Sequence, residues 1–146
     1  MTDKELFVAK AASGYVVCYV ESCPLREQCL RWLVGQETPV SETYCTCVNP
    51  HGAGTATESC PHHRPSQKVA MAQGMTRIFT DDMSKRLEQG VRNTLIARHN
   101  RNCYFEFRNG KRLIPPSTQE EIRQLFRQFG WNGDVTFDGF VEDYEW

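Results

Sequence analysis

Three of the seven cysteines fall within twelve residues, in CYVESCPLREQC (18–29), and a fourth follows in CPHHR, at Cys60. The start of the chain, MTDKELFVAKAASGY, contains acidic residues and lacks the apolar stretch of a secretory signal, so we expect a cytoplasmic protein. Structural disulfides are disfavoured in that reducing compartment, and an odd number of cysteines excludes complete pairing within the chain. Metal binding, thiol reactivity and burial as small apolar side chains remain as explanations.

A zinc site would account for this cysteine pattern. Zinc prefers four ligands in a tetrahedron, and thiolate sulfurs bind it at about 2.3 Å. A strand that carries Cys18, a turn at Cys23 and a helix around Cys29 can bring three thiols together, and the loop at 49–59 would let the fourth approach them. We therefore predict that zinc is held by four thiols: Cys18, Cys23, Cys29 and Cys60. Four other side chains are reserve ligands: Cys45, Cys47, His62 and His63.

Two alternatives to zinc stay open. An iron–sulfur cluster also takes four thiolates, and proline follows both Cys23 and Cys60, as it follows a cluster ligand in ferredoxin-type sites. The cysteines can instead be metal-free and buried, as we expect for Cys103 within its apolar stretch.

Catalysis is not expected. A nucleophile and base formed by Cys60 with His62 or His63 would require residues too close in sequence to reach the necessary geometry. The segment HGAG lacks the Lys-Ser/Thr pair of a phosphate-binding loop. We therefore expect neither an enzymatic activity nor a small-molecule substrate.

Hydrophobic periodicity predicts the secondary structure. Short strands are expected at 14–20 and 43–48. A helix should begin at Ser22 or Cys23 and end at Gly35, and further helices are expected at 66–79 and 81–99.

The most regular helical pattern lies in PPSTQEEIRQLFRQFGW. Ser117 and Glu120 have the spacing of a capping box, and Gly130 suits the C-terminal stop. Before this helix, CYFEFRNGKRLI (103–114) allows two interpretations. Aromatic alternation around Asn109-Gly110 favours a β-hairpin, whereas the same stretch can be the second helix of a helix-turn-helix.

These elements predict an α+β fold, small and helix-rich, with short strands and a cysteine-rich N-terminal module. Residues 1–64 would form the module, and residues 65–146 a basic helical region with an acidic aromatic tail, the two packing as one unit. The tail would either close onto the protein or engage a partner, and its aromatic side chains favour closure: Phe140, Tyr144 and Trp146.

The charge distribution is uneven although the net charge is −1. Residues 64–114 hold 11 basic and 4 acidic side chains, and the segments on either side are acidic. A basic surface attracts phosphates, although acidic ends that fold back would neutralise it. No apolar run is long enough to span a membrane.

Residues 101–130, RNCYFEFRNGKRLIPPSTQEEIRQLFRQFG, resemble the second half of a phage-repressor-type helix-turn-helix domain. The likeness implies that a recognition helix ends at NGKR and enters the major groove of DNA. It implies that five side chains face DNA: Arg101, Tyr104, Arg108, Lys111 and Arg112.

A broader resemblance covers most of the chain. The order of CPLREQCLR, CPHHR, GMTRIF, NCYFEFRNGKRLIPPSTQEEIRQLFRQFG and FDGFVEDYEW is similar to an uncharacterised bacterial family of unknown function. It implies that the cysteine half and the helical half belong together.

Our first hypothesis is a non-enzymatic regulatory or adaptor protein, stabilised by zinc, that contacts DNA or another protein. The nucleic-acid surface would consist of four basic residues: Arg101, Arg108, Lys111 and Arg112. The alternatives are an iron–sulfur or thiol redox protein and a metal-free protein-interaction domain.

Overall fold

The computed structural model describes residues 1–146, which form five α-helices, one short 3-10 helix and a two-stranded sheet. The protein therefore has the predicted α+β fold. In chain order the elements are α1 (Asp3–Ala12), the 3-10 helix (Arg26–Gln28), α2 (Leu30–Gln36), β1 (Lys68–Ala72), α3 (Lys85–His99), α4 (Arg101–Arg108), α5 (Pro116–Gln128) and β2 (Phe140–Tyr144). None of these helices combines the length and the apolar character that crossing a bilayer requires. The chain divides into two compact units: residues 1–67 with 144–146, and residues 68–143.

In the first unit, α1 begins with a capping box that the sequence analysis missed. The Thr2 hydroxyl accepts from the Glu5 N–H at 3.2 Å, and the Thr2 N–H donates to the Glu5 carboxylate at 2.7 Å. The threonine and the glutamate three residues later are the recognisable signal of such a helix start. α1 packs against α2.

The end of the chain joins the first unit through its aromatic rings. Tyr144 and Trp146 lie 5.5 and 6.2 Å from the ring of Phe7, measured between centroids. The Lys10 ammonium lies 4.7 Å from the Trp146 ring. Tyr144 and Trp146 thus close onto the protein as expected, whereas Phe140 is 54 % exposed and contacts the ring of Phe137.

The two strands predicted at 14–20 and 43–48 are reduced to a single parallel bridge between Val17 and Cys47. The Val17 N–H donates to the carbonyl of Thr46 at 3.1 Å, and the Val48 N–H donates to the carbonyl of Val17 at 2.8 Å. The residues around the bridge form no strand. The Cys18 N–H donates to the carbonyl of Arg31 instead of to a neighbouring strand, so β-branched composition alone did not produce a sheet here.

The single helix expected from residue 22 to residue 35 is interrupted at Cys29, which is extended. Cys29 forms an antiparallel bridge with Pro65, and the Leu30 N–H donates to the Arg64 carbonyl at 2.7 Å. This long-range pairing replaces the helical hydrogen bonds and leaves the 3-10 helix before Cys29 and α2 after it.

In the second unit, the prediction of a helix at 66–79 is wrong. Residues 68–72 form β1, which pairs with β2, and the N–H of Ala72 donates to the carbonyl of Ile114 at 3.0 Å. Met71 and Ala72 are buried. Gly74 has φ +86°, which ends the extended run and is incompatible with a helix through this segment.

The first part of the stretch 103–114 is helical, because it belongs to α4 (Arg101–Arg108), so the hairpin interpretation is wrong. α4 is capped by Asn100, whose side-chain oxygen accepts from the Cys103 N–H at 2.9 Å. Tyr104 and Phe107 are three residues apart and both buried, which is helical spacing. Asn109 lies at the end of α4 rather than in a hairpin turn.

α5 begins two residues earlier than the predicted capping box implied. Pro116 occupies the first turn and Pro115 precedes it, without a side-chain cap. The prediction of a capping box at Ser117 and Glu120 is therefore wrong. The predicted helix stop at Gly130 is confirmed. Gly130 has a φ of +93°, and the Trp131 N–H donates to the Phe126 carbonyl at 2.9 Å.

Thirteen buried side chains form the core of the second unit, in which α3, α4 and α5 pack together with β1: Ala72, Met75, Ile78, Leu87, Val91, Leu95, Tyr104, Phe107, Ile114, Ile122, Leu125, Phe126 and Phe137. Gln119 is the buried polar residue of this unit, and its amide donates to the carbonyls of Ala70 and Ile114 at 3.0 and 2.9 Å.

Candidate metal centre

The four cysteines that the sequence predicts as metal ligands line one cavity in the first unit: Cys18, Cys23, Cys29 and Cys60. Cys29 is 8 % exposed and the other three are half-buried. The rest of the lining combines apolar groups with Arg26, Arg31, His62 and His63. Cys29 and Cys60 therefore line the same cavity although 30 residues lie between them in the sequence.

Arg31 joins the segments that carry three of these cysteines. Its Nε donates to the His62 carbonyl at 2.8 Å and its terminal nitrogen to the Val16 carbonyl at 2.8 Å. Its own carbonyl accepts from the Cys18 N–H at 3.0 Å. The sequence carries no signal for this role of Arg31, because a basic residue in a short helix is usually a solvated surface residue.

The absence of a side chain at residue 35 lets α2 approach the segment that carries Cys18. A Cβ atom at Gly35 would lie 3.1 Å from the Cys18 carbonyl and 3.2 Å from the Tyr19 ring. The contact places α2, which begins directly after Cys29, beside Cys18.

Turns position the other two cysteines. The Cys23 N–H donates to the Val20 carbonyl at 3.3 Å, and the Cys23 carbonyl accepts from Arg26 at 3.3 Å. The Cys60 N–H donates to the Thr57 carbonyl at 3.1 Å, and the Cys60 carbonyl accepts from His63 at 3.2 Å. The second turn brings Cys60 and His63 to the same cavity.

The pKa of the Cys18 thiol depends on its burial and on the other three cysteines of the cavity. Burial raises the pKa of the Cys18 thiol, and a hydrogen bond with the Val20 backbone acts in the opposite direction. Negative charge on Cys29, Cys23 and Cys60 raises this pKa further. The surroundings of Cys18 therefore disfavour its thiolate, which a bound cation would stabilise.

The cavity is small, with a volume of ≈ 20 Å³. One water molecule needs about 10–15 Å³ measured in this way, so the space suits a single ion or water. No three His, Cys, Asp or Glu side chains are arranged as a metal site in the structure. The residues fit a thiophilic metal by their chemistry and shared cavity, and coordination would require the thiol side chains to move closer together.

One nitrogen of the residues that line the cavity lacks a partner. Nδ1 of His63 is buried and forms no hydrogen bond. His62, beside it, also lines the cavity, and its carbonyl is engaged by Arg31. A buried polar atom without a partner costs about 1–3 kcal/mol.

The remaining cysteines do not line the cavity. Cys45 and Cys47 are exposed, and the Cys45 thiol lies 3.8 Å from the Tyr19 hydroxyl, which donates to Thr38 at 2.8 Å. Cys103 packs half-buried against the core of the second unit. Of the reserve ligands, the structure thus brings the two histidines to the cavity and leaves Cys45 and Cys47 outside its lining.

The four predicted nucleic-acid ligands are all exposed, on α4 and the turn that follows it: Arg101, Arg108, Lys111 and Arg112. Arg101 lies over the Phe105 ring at 5.2 Å, and Arg112 forms an ion pair of 2.6 Å with Glu106. The helix-turn-helix resemblance implied that Tyr104 faces DNA. This is wrong, because Tyr104 is 2 % exposed and belongs to the core. A single residue, Asn100, separates α3 from α4, whereas a helix-turn-helix uses a turn of about three or four residues.

The fold and the cavity define a small α+β protein with four cysteines around one cavity in its N-terminal unit. The chain belongs to the family of unknown function DUF6078, whose family model matches residues 1–146. No curated protein and no solved structure matches the chain. The family match agrees with the broader resemblance, and the helix-turn-helix resemblance has no support from these comparisons.

Proposed function

We propose that the cysteine-lined cavity binds one zinc ion, and that the protein is a non-enzymatic, metal-stabilised regulatory or adaptor protein. The observation that carries the proposal is the meeting of Cys18, Cys23, Cys29 and Cys60 at a single cavity. We place the protein in the cytoplasm, where thiols stay reduced and available to a metal.

The size of the cavity favours one ion over an iron–sulfur cluster. A volume of ≈ 20 Å³ holds a single ion or water, whereas a cluster of several iron and sulfide atoms would require the cavity to expand. Thiolate ligands suit zinc, and a closed set of four protein ligands is typical of structural zinc sites.

The first unit benefits from such an ion because its own apolar core is small. Its buried apolar side chains are few: Val17, Cys29, Leu30, Val34, Val48 and Tyr144. Small domains with so little buried surface commonly depend on a metal or disulfides, and binding free energy then contributes directly to folding.

Elemental analysis of freshly purified protein tests this proposal. We expect about one zinc per chain without iron or acid-labile sulfide. Cys18→Ser should lower zinc affinity at least about 10-fold and lower the melting temperature, because it removes a proposed ligand. Cys45→Ser, outside the cavity lining, is the matched control and should retain the zinc affinity and the melting temperature of the wild type. Iron with sulfide would establish the cluster instead, and a metal-free protein whose melting ignores chelators would establish the metal-free alternative.

We propose, as a second function, that the basic surface formed by Arg101, Arg108, Lys111 and Arg112 binds nucleic acid. The supporting observation is the exposure of all four on one element and its turn. Arg101 and Arg108 are seven residues apart, two helical turns, and so share a face of α4. The backbone N–H groups of Lys111 and Arg112 both donate to the Glu106 carbonyl, at 2.9 and 3.1 Å, which folds the turn back against α4.

Binding to duplex DNA should weaken steeply with salt, because neutralised phosphates release counterions. Arg108→Glu combined with Lys111→Glu should abolish the binding in a fluorescence anisotropy titration. The control, Lys85→Glu with Arg86→Glu, reverses two exposed charges at the start of α3 and should bind as the wild type does. Absence of binding by the wild type at low salt would refute this second function.

A further inference from the structure

The cavity holds two candidate ligands more than a tetrahedral metal accepts, because His62 and His63 line it together with the four cysteines. Of the two histidines, His63 has a buried Nδ1 without a hydrogen-bond partner. Zinc in structural sites is bound by four protein ligands, and three cysteines with one histidine are an accepted set.

We infer that His63 is a metal ligand through Nδ1, so that the site is a mixed one of three thiolates and one imidazole. The inference rests on the proposed zinc site and identifies one of its four ligands. His63 follows Cys60 by three residues, and the hydrogen bond of 3.2 Å from its N–H to the Cys60 carbonyl closes the turn between them. Both residues line the cavity.

The unsatisfied nitrogen distinguishes a ligand from a residue that merely lies nearby. A buried imidazole nitrogen is nearly always paired, with protein, water or metal. A water in ≈ 20 Å³ would need two to four polar partners, and thiols are weak hydrogen-bonding groups. A metal ion satisfies the imidazole nitrogen and the thiolates together.

Cobalt(II), added anaerobically to the full-length protein, reports the ligand set. The intensity of the sulfur-to-cobalt charge-transfer absorption follows the number of thiolates, and replacing sulfur by nitrogen moves the visible d–d bands to shorter wavelength. We expect the wild type to show a three-thiolate spectrum, and His63→Cys to show a four-thiolate one. His63→Gln should lower zinc affinity at least about 100-fold, since loss of a ligand exceeds the effect of an outer-shell change. His51→Gln, at an exposed histidine outside the cavity lining, is the control and should leave spectrum and affinity unchanged.

The outcomes separate this inference from the proposed function. A wild-type spectrum of four thiolates that His63→Gln does not alter overturns the histidine ligand and leaves the zinc site standing. A wild type that binds neither cobalt nor zinc overturns both. If His63→Gln does not fold, X-ray absorption of the zinc-loaded wild type decides: three sulfurs and one nitrogen support the inference, and four sulfurs refute it.

Discussion

In the second unit, the side chain of Asp138 holds the backbone at Thr76 and Arg77 by hydrogen bonds. Its carboxylate accepts hydrogen bonds from the Thr76 hydroxyl at 2.7 Å and from the N–H groups of Thr76 and Arg77 at 3.1 Å each. Partial burial acts to raise the pKa of Asp138, but the hydrogen bonds from Thr76 and Arg77 hold it below its ordinary value. Gly74 makes room for this contact, because a Cβ atom there would lie 2.6 Å from the Asp138 carboxylate.

The depressed pKa of Asp138 predicts a pH-dependent contribution to the free energy of unfolding. The folded state binds the proton more weakly, so the stabilisation is present above the ordinary value of 3.8 and disappears as pH falls through the lower folded pKa. Asp138→Asn should destabilise the protein by about 1–2 kcal/mol at pH 7, because hydrogen bonds to a charged acceptor become weaker ones. Urea unfolding at pH 7 and near pH 3 measures the difference, which should shrink at the lower pH. Asp134→Asn, at an exposed position, is the control, and an equal loss at both pH values would contradict the assignment.

Among the elements, the docking of the last residues onto α1 is built from aromatic contacts. Trp146 meets the Phe7 ring edge-on and the Tyr15 ring at 5.8 Å, and Lys10 lies over both Tyr15 and Trp146. Aromatic pairs contribute about 0.5–1.5 kcal/mol beyond buried area, and cation–π contacts about 0.5–1 kcal/mol at exposed sites. The aromatic tail is thus an integral part of the first unit.

Trp146→Ala should therefore lower the free energy of unfolding of the first unit by about 2 kcal/mol, through lost ring contacts and the lost cation–π contact. Hydrogen exchange of α1 amides, compared between variant and wild type, measures the effect locally. Tyr44→Ala removes a ring that is 91 % exposed and should change little. Unchanged protection of α1 in Trp146→Ala would show that the tail does not stabilise the helix.

Elements also differ in how far the sequence predicts them. α3 follows in part from the apolar stripe of the helix predicted at 81–99, since Leu87, Val91 and Leu95 are buried as the periodicity requires. Met83, the first residue of that stripe, lies before the helix, which begins at Lys85. β1 was mistaken for a helix because alanine and methionine favour helices locally, whereas pairing with β2 decides its conformation. The same limit applies to Cys29, whose extended backbone depends on Pro65 and Arg64, more than thirty residues away.

At the scale of the whole molecule, the two compact units differ in what holds them together. The second unit, residues 68–143, has thirteen buried core side chains and contains none of the proposed metal ligands. The first unit has a smaller set of buried apolar side chains and all of the proposed ligands. Metal binding free energy should therefore be concentrated in the first unit.

Removal of the metal should loosen one unit and not the other. After treatment with a strong chelator, hydrogen exchange should accelerate in residues 1–67 and stay near its original rate in the core helices α3 and α5. Zinc added back should restore protection. An equal loss of protection throughout the chain, or no change in the first unit, would contradict this distribution of stability.

The sequence by itself determined the α+β class, the helical stripe of α3, the glycine stop of α5 and the choice of the four cysteines that meet at one cavity. These features depend on local periodicity, on the backbone freedom of glycine, and on the chemistry of a rare side chain. Only the tertiary structure decided that β1 is a strand, that α4 is a helix, and that Arg31 and His63 belong to the cavity. These depend on partners far away in the chain, whose hydrogen bonds and burial outweigh local propensities that differ by less than about 1 kcal/mol per residue.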